Sequence, residues 1–253
     1  MELEYETFIG NLRFNCSLVE KMPISCSLYR IVSQKSLEEL RSELNNLNLE
    51  EPRDIYGETY TFRTLISDLH WGIGREILWG TLSFETITFS SQIDGTRIPI
   101  KYAETCIFAL FYENITLHLA IFTNRKIAEN SAGKINYILT RGENQPGQIV
   151  FNHFISVEVI EQLLANHSHT KKRGSWRGLD FPGVNRGSLY GADLDRFDQT
   201  RRYDEHGEKS YIMVELHDLR QIIGISAKGM VTFYGNITNE DILEFVRREI
   251  IAI

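Results

Sequence analysis

The residues best suited to chemistry lie between residues 167 and 202, where cations, aromatic rings and glycines are interleaved. Eight cations and four acids give this window a net charge of +4, whereas the formal net charge of the whole chain is -7. Cations concentrated in one window are typical of a site for an anion, and phosphate is the commonest such anion. The cations are Lys171, Lys172, Arg173, Arg177, Arg186, Arg196, Arg201 and Arg202.

Aromatic residues accompany these cations, beginning with Trp176 beside Arg177. Cations neutralise phosphates, aromatic faces stack on exposed bases, and glycines let the backbone approach a phosphate closely. We therefore predict weakly sequence-specific, salt-sensitive contact with DNA or RNA. An acidic protein partner and a plain surface loop remain alternative interpretations. The predicted binding residues are Lys171, Lys172, Arg173, Trp176, Arg177, Arg186, Arg201 and Arg202.

Two alternative functions are a protein-interaction subunit without a role in nucleic-acid binding and a metal-dependent nuclease. Asp193, Asp195 and Glu215 could hold Mg²⁺ for phosphodiester hydrolysis if a loop and a neighbouring strand brought them together. The two histidines at 167 and 169 lack further ligands at metal-site spacing, so we interpret them as exposed residues beyond a helix end. The sequence contains neither a Gly-x-Ser-x-Gly element nor a phosphate-binding loop. These patterns favour a non-catalytic protein without a cofactor or metal.

The composition is that of a globular protein, with 42% hydrophobic and 24% charged residues in 253 positions. Three cysteines without CxxC spacing suit a reducing cytoplasm and are expected to be buried thiols. The amino terminus is acidic where a signal peptide would be basic, and no apolar run approaches the roughly 20 residues of a membrane span. We therefore expect a cytoplasmic protein without a membrane association.

The chain alternates between strand patterns and short amphipathic helices. Residues 8–19, 27–32, 103–111 and 116–122 have strand patterns, and Asp94 with Gly95 predicts a hairpin turn. Helices are predicted after the capping residues Ser36, Ser156 and Thr238. The sequence therefore predicts a strand-rich α+β fold, with antiparallel sheets and helices covering one face.

We predict two lobes joined by a basic, glycine-rich connector. The amino-terminal α+β lobe comprises residues 1–166, the connector residues 167–209, and a β-β-α unit residues 210–253. The connector lacks regular periodicity, which indicates either a functional loop or a segment that is partly mobile in isolation.

The order of elements resembles the amino-terminal lobe of prokaryotic Argonautes, that is, the N domain with linkers L1 and L2. Some short Argonaute systems encode this lobe separately or as the related APAZ region. The resemblance rests on the strand at 27–32 leading into the helix after Ser36, the strand-rich middle and the long basic linker. It implies a chain without catalytic residues that forms a hetero-oligomer with the guide-binding lobe. Its basic connector would face the guide–target duplex. The net acidity of this chain departs from that expectation.

Overall fold

The computed structural model describes residues 23–93, 95–141 and 147–252. Within them are twelve strands: β1 (Ile24–Ile31), β2 (Asn48–Ile55), β3 (Glu58–Trp71), β4 (Ile77–Ser91), β5 (Arg97–Glu113), β6 (Thr116–Phe122), β7 (Val150–Asn152), β8 (His169–Phe181), β9 (Val184–Tyr190), β10 (Glu208–Leu216), β11 (Gln221–Ser226) and β12 (Met230–Tyr234). They form one antiparallel sheet in the order β2-β3-β4-β5-β6-β1-β12-β11-β10-β8-β9, and β7 also pairs with β1.

Five α-helices accompany the sheet in the described residues, and three of them begin at predicted caps. They are α1 (Leu37–Leu44), α2 (Arg125–Thr140), α3 (Val157–Asn166), α4 (Asp198–His206) and α5 (Asn239–Val246), which continues into a π-helical turn at Arg247–Ile251. The hydroxyl of Ser36 accepts a hydrogen bond from the amide of Glu39, whose carboxylate accepts one from the Ser36 amide. Ser156 and Thr238 cap α3 and α5, so these predicted helix starts are confirmed.

Helices α2 and α4 are absent from the sequence prediction. The side chain of Asn124 caps α2 by accepting a hydrogen bond from the amide of Ile127, a signal that was present in the sequence. Ala128, Ala132 and Ile135 follow at helical spacing and are buried. Helix α4 buries only Thr200, so its sequence has little apolar periodicity and its docking depends on tertiary contacts.

Helices cover both faces of the sheet. Along β6, Leu119 packs in a core with α1 and α2, whereas its neighbour Ala120 packs in a second core with α3 and α5. Successive side chains of a strand point to opposite faces, so the two cores lie on opposite sides of the sheet. The α+β class and antiparallel pairing are confirmed, but the prediction of helices on one face is wrong.

The predicted connector at residues 167–209 has regular structure. It forms β8, β9, a 3₁₀ turn at Leu194–Arg196, α4 and the start of β10, so the prediction of an irregular loop is wrong. The sheet continues through it from β10 to β9. The two-lobe division at residues 166 and 209 stays a prediction.

The predicted β4–β5 hairpin is confirmed by pairing of Ser91 with Arg97, although Asp94 and the predicted strand at 8–19 lie outside the described residues.

Two cysteines can be placed in the cores. Cys26 and Cys106 are buried free thiols, as predicted, whereas Cys16 lies outside the described residues. Burial raises the pKa of the Cys26 thiol above its ordinary value, which keeps that sulfur protonated. Over the described ranges, none of the helices has both the length and the apolar composition required to cross a bilayer.

Candidate nucleic-acid interface

The hairpin of β8 and β9 carries most of the side chains predicted to bind nucleic acid. Strand β8 pairs with β10 on one side and with β9, at the edge of the sheet, on the other. Ser175 and Trp176 are neighbours on β8 and therefore point to opposite faces. The indole of Trp176 faces α4, while the hydroxyl of Ser175 meets that of Ser188 on the other face. The hairpin thus divides the predicted residues between two surfaces.

Trp176 belongs to the core between β8 and α4. Its side chain is only 3% exposed, and its Nε1 donates a 2.8 Å hydrogen bond to the Asp204 carboxylate. Its ring meets Tyr203 edge to face, and the buried Lys209 forms an ion pair with the same Asp204 at 3.3 Å. The prediction that Trp176 stacks on a base is wrong, because its ring is not accessible to a ligand.

Two glycines in this segment make room for aromatic rings. A Cβ on Gly174 would overlap the Trp176 ring, and a Cβ on Gly187 would overlap the Tyr203 ring. Neither residue has a positive φ, so the requirement is for space and not for an unusual backbone conformation. We conclude that these glycines support the docking of α4, whereas the sequence had suggested close approach to a phosphate.

Several predicted cations form ion pairs within the fold. The pairs are Lys171 with Asp195 at 2.6 Å, Lys172 with Glu215 at 2.9 Å, Arg177 with Glu208 at 3.1 Å, and Arg196 with Asp193 at 2.7 Å. The hydrogen bond from Lys172 holds the pKa of the Glu215 carboxyl below its ordinary value. The lysines and arginines of this window therefore do not all converge in one electropositive groove.

The alternative nuclease site is not assembled: Asp195 and Glu215 lie on opposite faces of the sheet, and Asp193 forms an ion pair with Arg196. Asp195 contacts Lys171, which is opposite the core residue Val214 in the β8–β10 pairing. Glu215 is the next residue along β10, so it points to the other face of the sheet. In residues 23–93, 95–141 and 147–252, no group of three histidines, cysteines or carboxylates could hold a metal ion. The geometry of the described residues does not support a nuclease site here.

Arg201 and Arg202 lie on α4, away from the open face of the hairpin. Both are exposed, and neither forms an ion pair within the described part of the chain. Helix α4 packs on the Trp176 side of β8, whereas Arg177 and Arg186 pair across β8 and β9 on the opposite side. These two arginines of α4 therefore do not share a surface with Arg177 and Arg186.

A basic groove lies on the open face of the hairpin, beside the first turn of α2. It encloses about 300 Å³, and none of its lining residues in the described chain is acidic. Arg186 and Lys228 are exposed and have no ion pair among the described residues. Arg177 and Arg125 line the groove and are paired with exposed carboxylates outside it. The polar lining residues are Arg125, Arg177, Arg186, Lys228, Ser175, Ser188, Ser210 and Ser226.

Sequence reasoning found Arg177 and Arg186 but missed Arg125 and Lys228. Arg125 begins α2, and Lys228 lies in the turn between β11 and β12. Both are distant from the basic window in the sequence, so only the order of strands brings them to the groove. The serines carried a weak signal, because Ser175 and Ser188 lie two residues from Arg177 and Arg186 and must share their face.

Arg173 lies on the same face within a cluster of tyrosines. Its guanidinium carbon is 4.6 Å from the ring centre of Tyr190 and 5.1 Å from that of Tyr211. The Arg173 Nε is buried and has no hydrogen-bond partner among the described residues. The hydroxyls of Tyr211 and Tyr234 are 3.4 Å apart, and burial together with this contact raises the pKa of Tyr211. Rings and a cation therefore adjoin the basic groove.

His167 is a structural residue, which the prediction of an exposed histidine missed. Its Nδ1 is 2.6 Å from the Asp218 carboxylate, and its Nε2 is 3.3 Å from that of Glu249. Burial disfavours the imidazolium, but the hydrogen bonds to the two carboxylates outweigh it, so the pKa of His167 is raised. The residue links the end of α3 to the β10–β11 turn and to the carboxy-terminal helical turn.

The sequence was compared with known protein families and with curated proteins, and it matches none of them. The resemblance to the Argonaute amino-terminal lobe therefore stays a prediction, and function must be argued from the geometry of the groove.

Proposed function

We propose that this chain is a non-catalytic, nucleic-acid-associated accessory subunit that contacts the sugar-phosphate backbone through the basic groove. The proposal rests chiefly on four cations and four serine side chains lining one cavity without a carboxylate among its described lining residues. Guanidinium, ammonium and hydroxyl groups are the usual donors to phosphate oxygens. The overall charge of -7 confines this attraction to one part of the surface.

The ion pairs of Arg125 and Arg177 are compatible with phosphate binding. The side chains of Arg177 and Arg125 are about half exposed, and those of Glu208 and Glu129 are more than half exposed. Exposed pairs of this kind contribute only about 0–1 kcal/mol. A phosphate can therefore replace the carboxylate as the partner of the arginine, and the released carboxylate is then hydrated.

The test is binding of fluorescent DNA and RNA oligonucleotides, followed by anisotropy over a series of salt concentrations. Replacing Arg177 and Arg186 by alanine should weaken binding and reduce the slope of log K against log salt by about 1.4–1.8, at roughly 0.7–0.9 for each lost phosphate contact. The matched control is the double alanine variant of Arg201 and Arg202, which loses the same charge from the α4 side. Equal effects of the two variants, or no binding by the parent chain, would contradict the groove as the binding site.

The second part of the proposal is a protein partner, which the Argonaute resemblance identifies as a guide-binding lobe. It is supported by the distal half of the β4–β5 hairpin, where Ile98, Ile100 and Tyr102 are exposed on one face of β5. Exposed apolar side chains grouped in this way are typical of protein interfaces. Tyr102 fits this interpretation, because tyrosine is enriched in protein interfaces.

Co-production with a guide-binding Argonaute lobe and measurement of the complex by light scattering tests this part. Ile100→Ser should weaken the complex, whereas Ile115→Ser, at an exposed turn between β5 and β6, should leave it unchanged. Failure of the two chains to associate would refute the Argonaute assignment. Nucleic-acid binding is tested independently by the anisotropy series.

A further inference from the structure

Three rows of side chains cross the open face of the β8–β9 hairpin in order. Arg177 and Arg186 form the first row, and Ser175 and Ser188 form the second. Arg173 and Tyr190 form the third. Because residues two apart in a strand share a face, all three rows point to the same side of the sheet. Cations, hydroxyls and an aromatic ring are thereby placed in succession along one path.

Tyr190 is the most accessible aromatic residue on this path. It is 66% exposed, and one side of its ring lies against the Arg173 guanidinium. The Arg173 guanidinium lies between the rings of Tyr190 and Tyr211, and it thereby supports one side of the Tyr190 ring. The ring therefore has a supported side and a side that is open to a ligand. Such an aromatic platform stacks on nucleobases of any sequence.

The charge on this path selects an anionic occupant. Arg173 has no ion pair among the described residues, and its buried Nε has no hydrogen-bond partner there. The next rows add Arg177 and Arg186, and the groove beyond them adds Lys228. A polymeric ligand with flat aromatic groups and a regular series of negative charges matches this arrangement. Single-stranded nucleic acid has both properties.

Resting on the proposed function, we propose that the ligand of the groove is single-stranded nucleic acid that stacks a base on Tyr190 while its backbone runs over Arg177 and Arg186. A duplex keeps its base faces inside its own stack and cannot present them to an exposed ring. The platform is sequence-tolerant, because every base has a π-face. The duplex implied by the Argonaute resemblance would not use Tyr190.

The experiment compares three probes of one length: a base-bearing single strand, an abasic single strand with the same phosphates, and a duplex. DNA and RNA versions of the base-bearing strand are both measured. The parent chain should bind the base-bearing strand most tightly. Tyr190→Ala should weaken that binding about tenfold, the loss expected for one aromatic–base stack, and leave the abasic strand unaffected. Tyr190→Phe should retain binding, because the ring is preserved.

Tyr137→Ala is the matched control, since Tyr137 is exposed on α2 and lines a different cavity. If the parent binds base-bearing and abasic strands equally and Tyr190→Ala changes neither, the single-strand inference is overturned. The proposed function then stands if the Arg177 and Arg186 double variant still weakens binding. If no oligonucleotide binds, and Tyr190→Ala disrupts a complex with a co-produced protein, the face is a protein-docking surface and both proposals fail.

Discussion

Replacement of Trp176 by alanine should destabilise the fold without removing a ligand contact. The indole is 3% exposed and packs against Tyr203 and Gly174. Truncation of a buried aromatic residue to alanine costs about 3–5 kcal/mol. The same change removes the hydrogen bond to the Asp204 carboxylate, which retains its ion pair with Lys209. We therefore expect a loss of about 4 kcal/mol in the free energy of unfolding.

Trp176→Phe separates packing from hydrogen bonding. Phenylalanine keeps most of the apolar ring but cannot donate to Asp204, so the expected loss is about 2 kcal/mol. Urea unfolding of the three proteins, followed by circular dichroism at equal protein concentration, gives these differences. Oligonucleotide affinity is then measured without denaturant. Under these conditions, the affinity of Trp176→Phe for oligonucleotides should equal that of the parent chain.

One pattern of results would refute this reasoning. If Trp176→Ala lowers the free energy of unfolding by less than about 1 kcal/mol, the side chain is not part of the core. If Trp176→Phe also binds oligonucleotides tenfold less tightly at unchanged stability, the indole contacts the ligand. The original sequence interpretation of Trp176 would then be correct.

Three further predictions concern other parts of the structure. Gly187→Ala should lower the free energy of unfolding by about 1–3 kcal/mol in urea titrations, because the added methyl group overlaps the Tyr203 ring; an unchanged value would contradict the packing of α4. His167 has a raised pKa in the folded chain, so its stabilising effect should be full below its unfolded pKa of about 6.5 and be lost as pH rises through the folded pKa. The effect should be on the order of 1–2 kcal/mol, and unfolding curves of His167→Gln should lack this pH dependence. Glu208→Gln releases Arg177 from its exposed ion pair and should tighten oligonucleotide binding about twofold to fivefold in the anisotropy assay, where weaker binding would argue against Arg177 as a phosphate contact.

The fold was predictable where local sequence controls it. Helices α1, α3 and α5 begin at Ser36, Ser156 and Thr238 because side-chain oxygens there satisfy free backbone amides, which is an interaction over three residues. Runs of apolar residues likewise depend only on neighbours in the chain. They identified β5 and β6, and β6 carries apolar side chains toward both faces.

The sequence alone also determined that positive charge is concentrated after residue 166, but it did not determine how that charge is used. Carboxylates distant in the chain decide this: Asp195 forms an ion pair with Lys171, and Glu215 forms one with Lys172. Only the sheet order brings Lys228 into the groove. Which face a side chain occupies depends on strand register, and register follows from long-range pairing and core packing that no local pattern encodes.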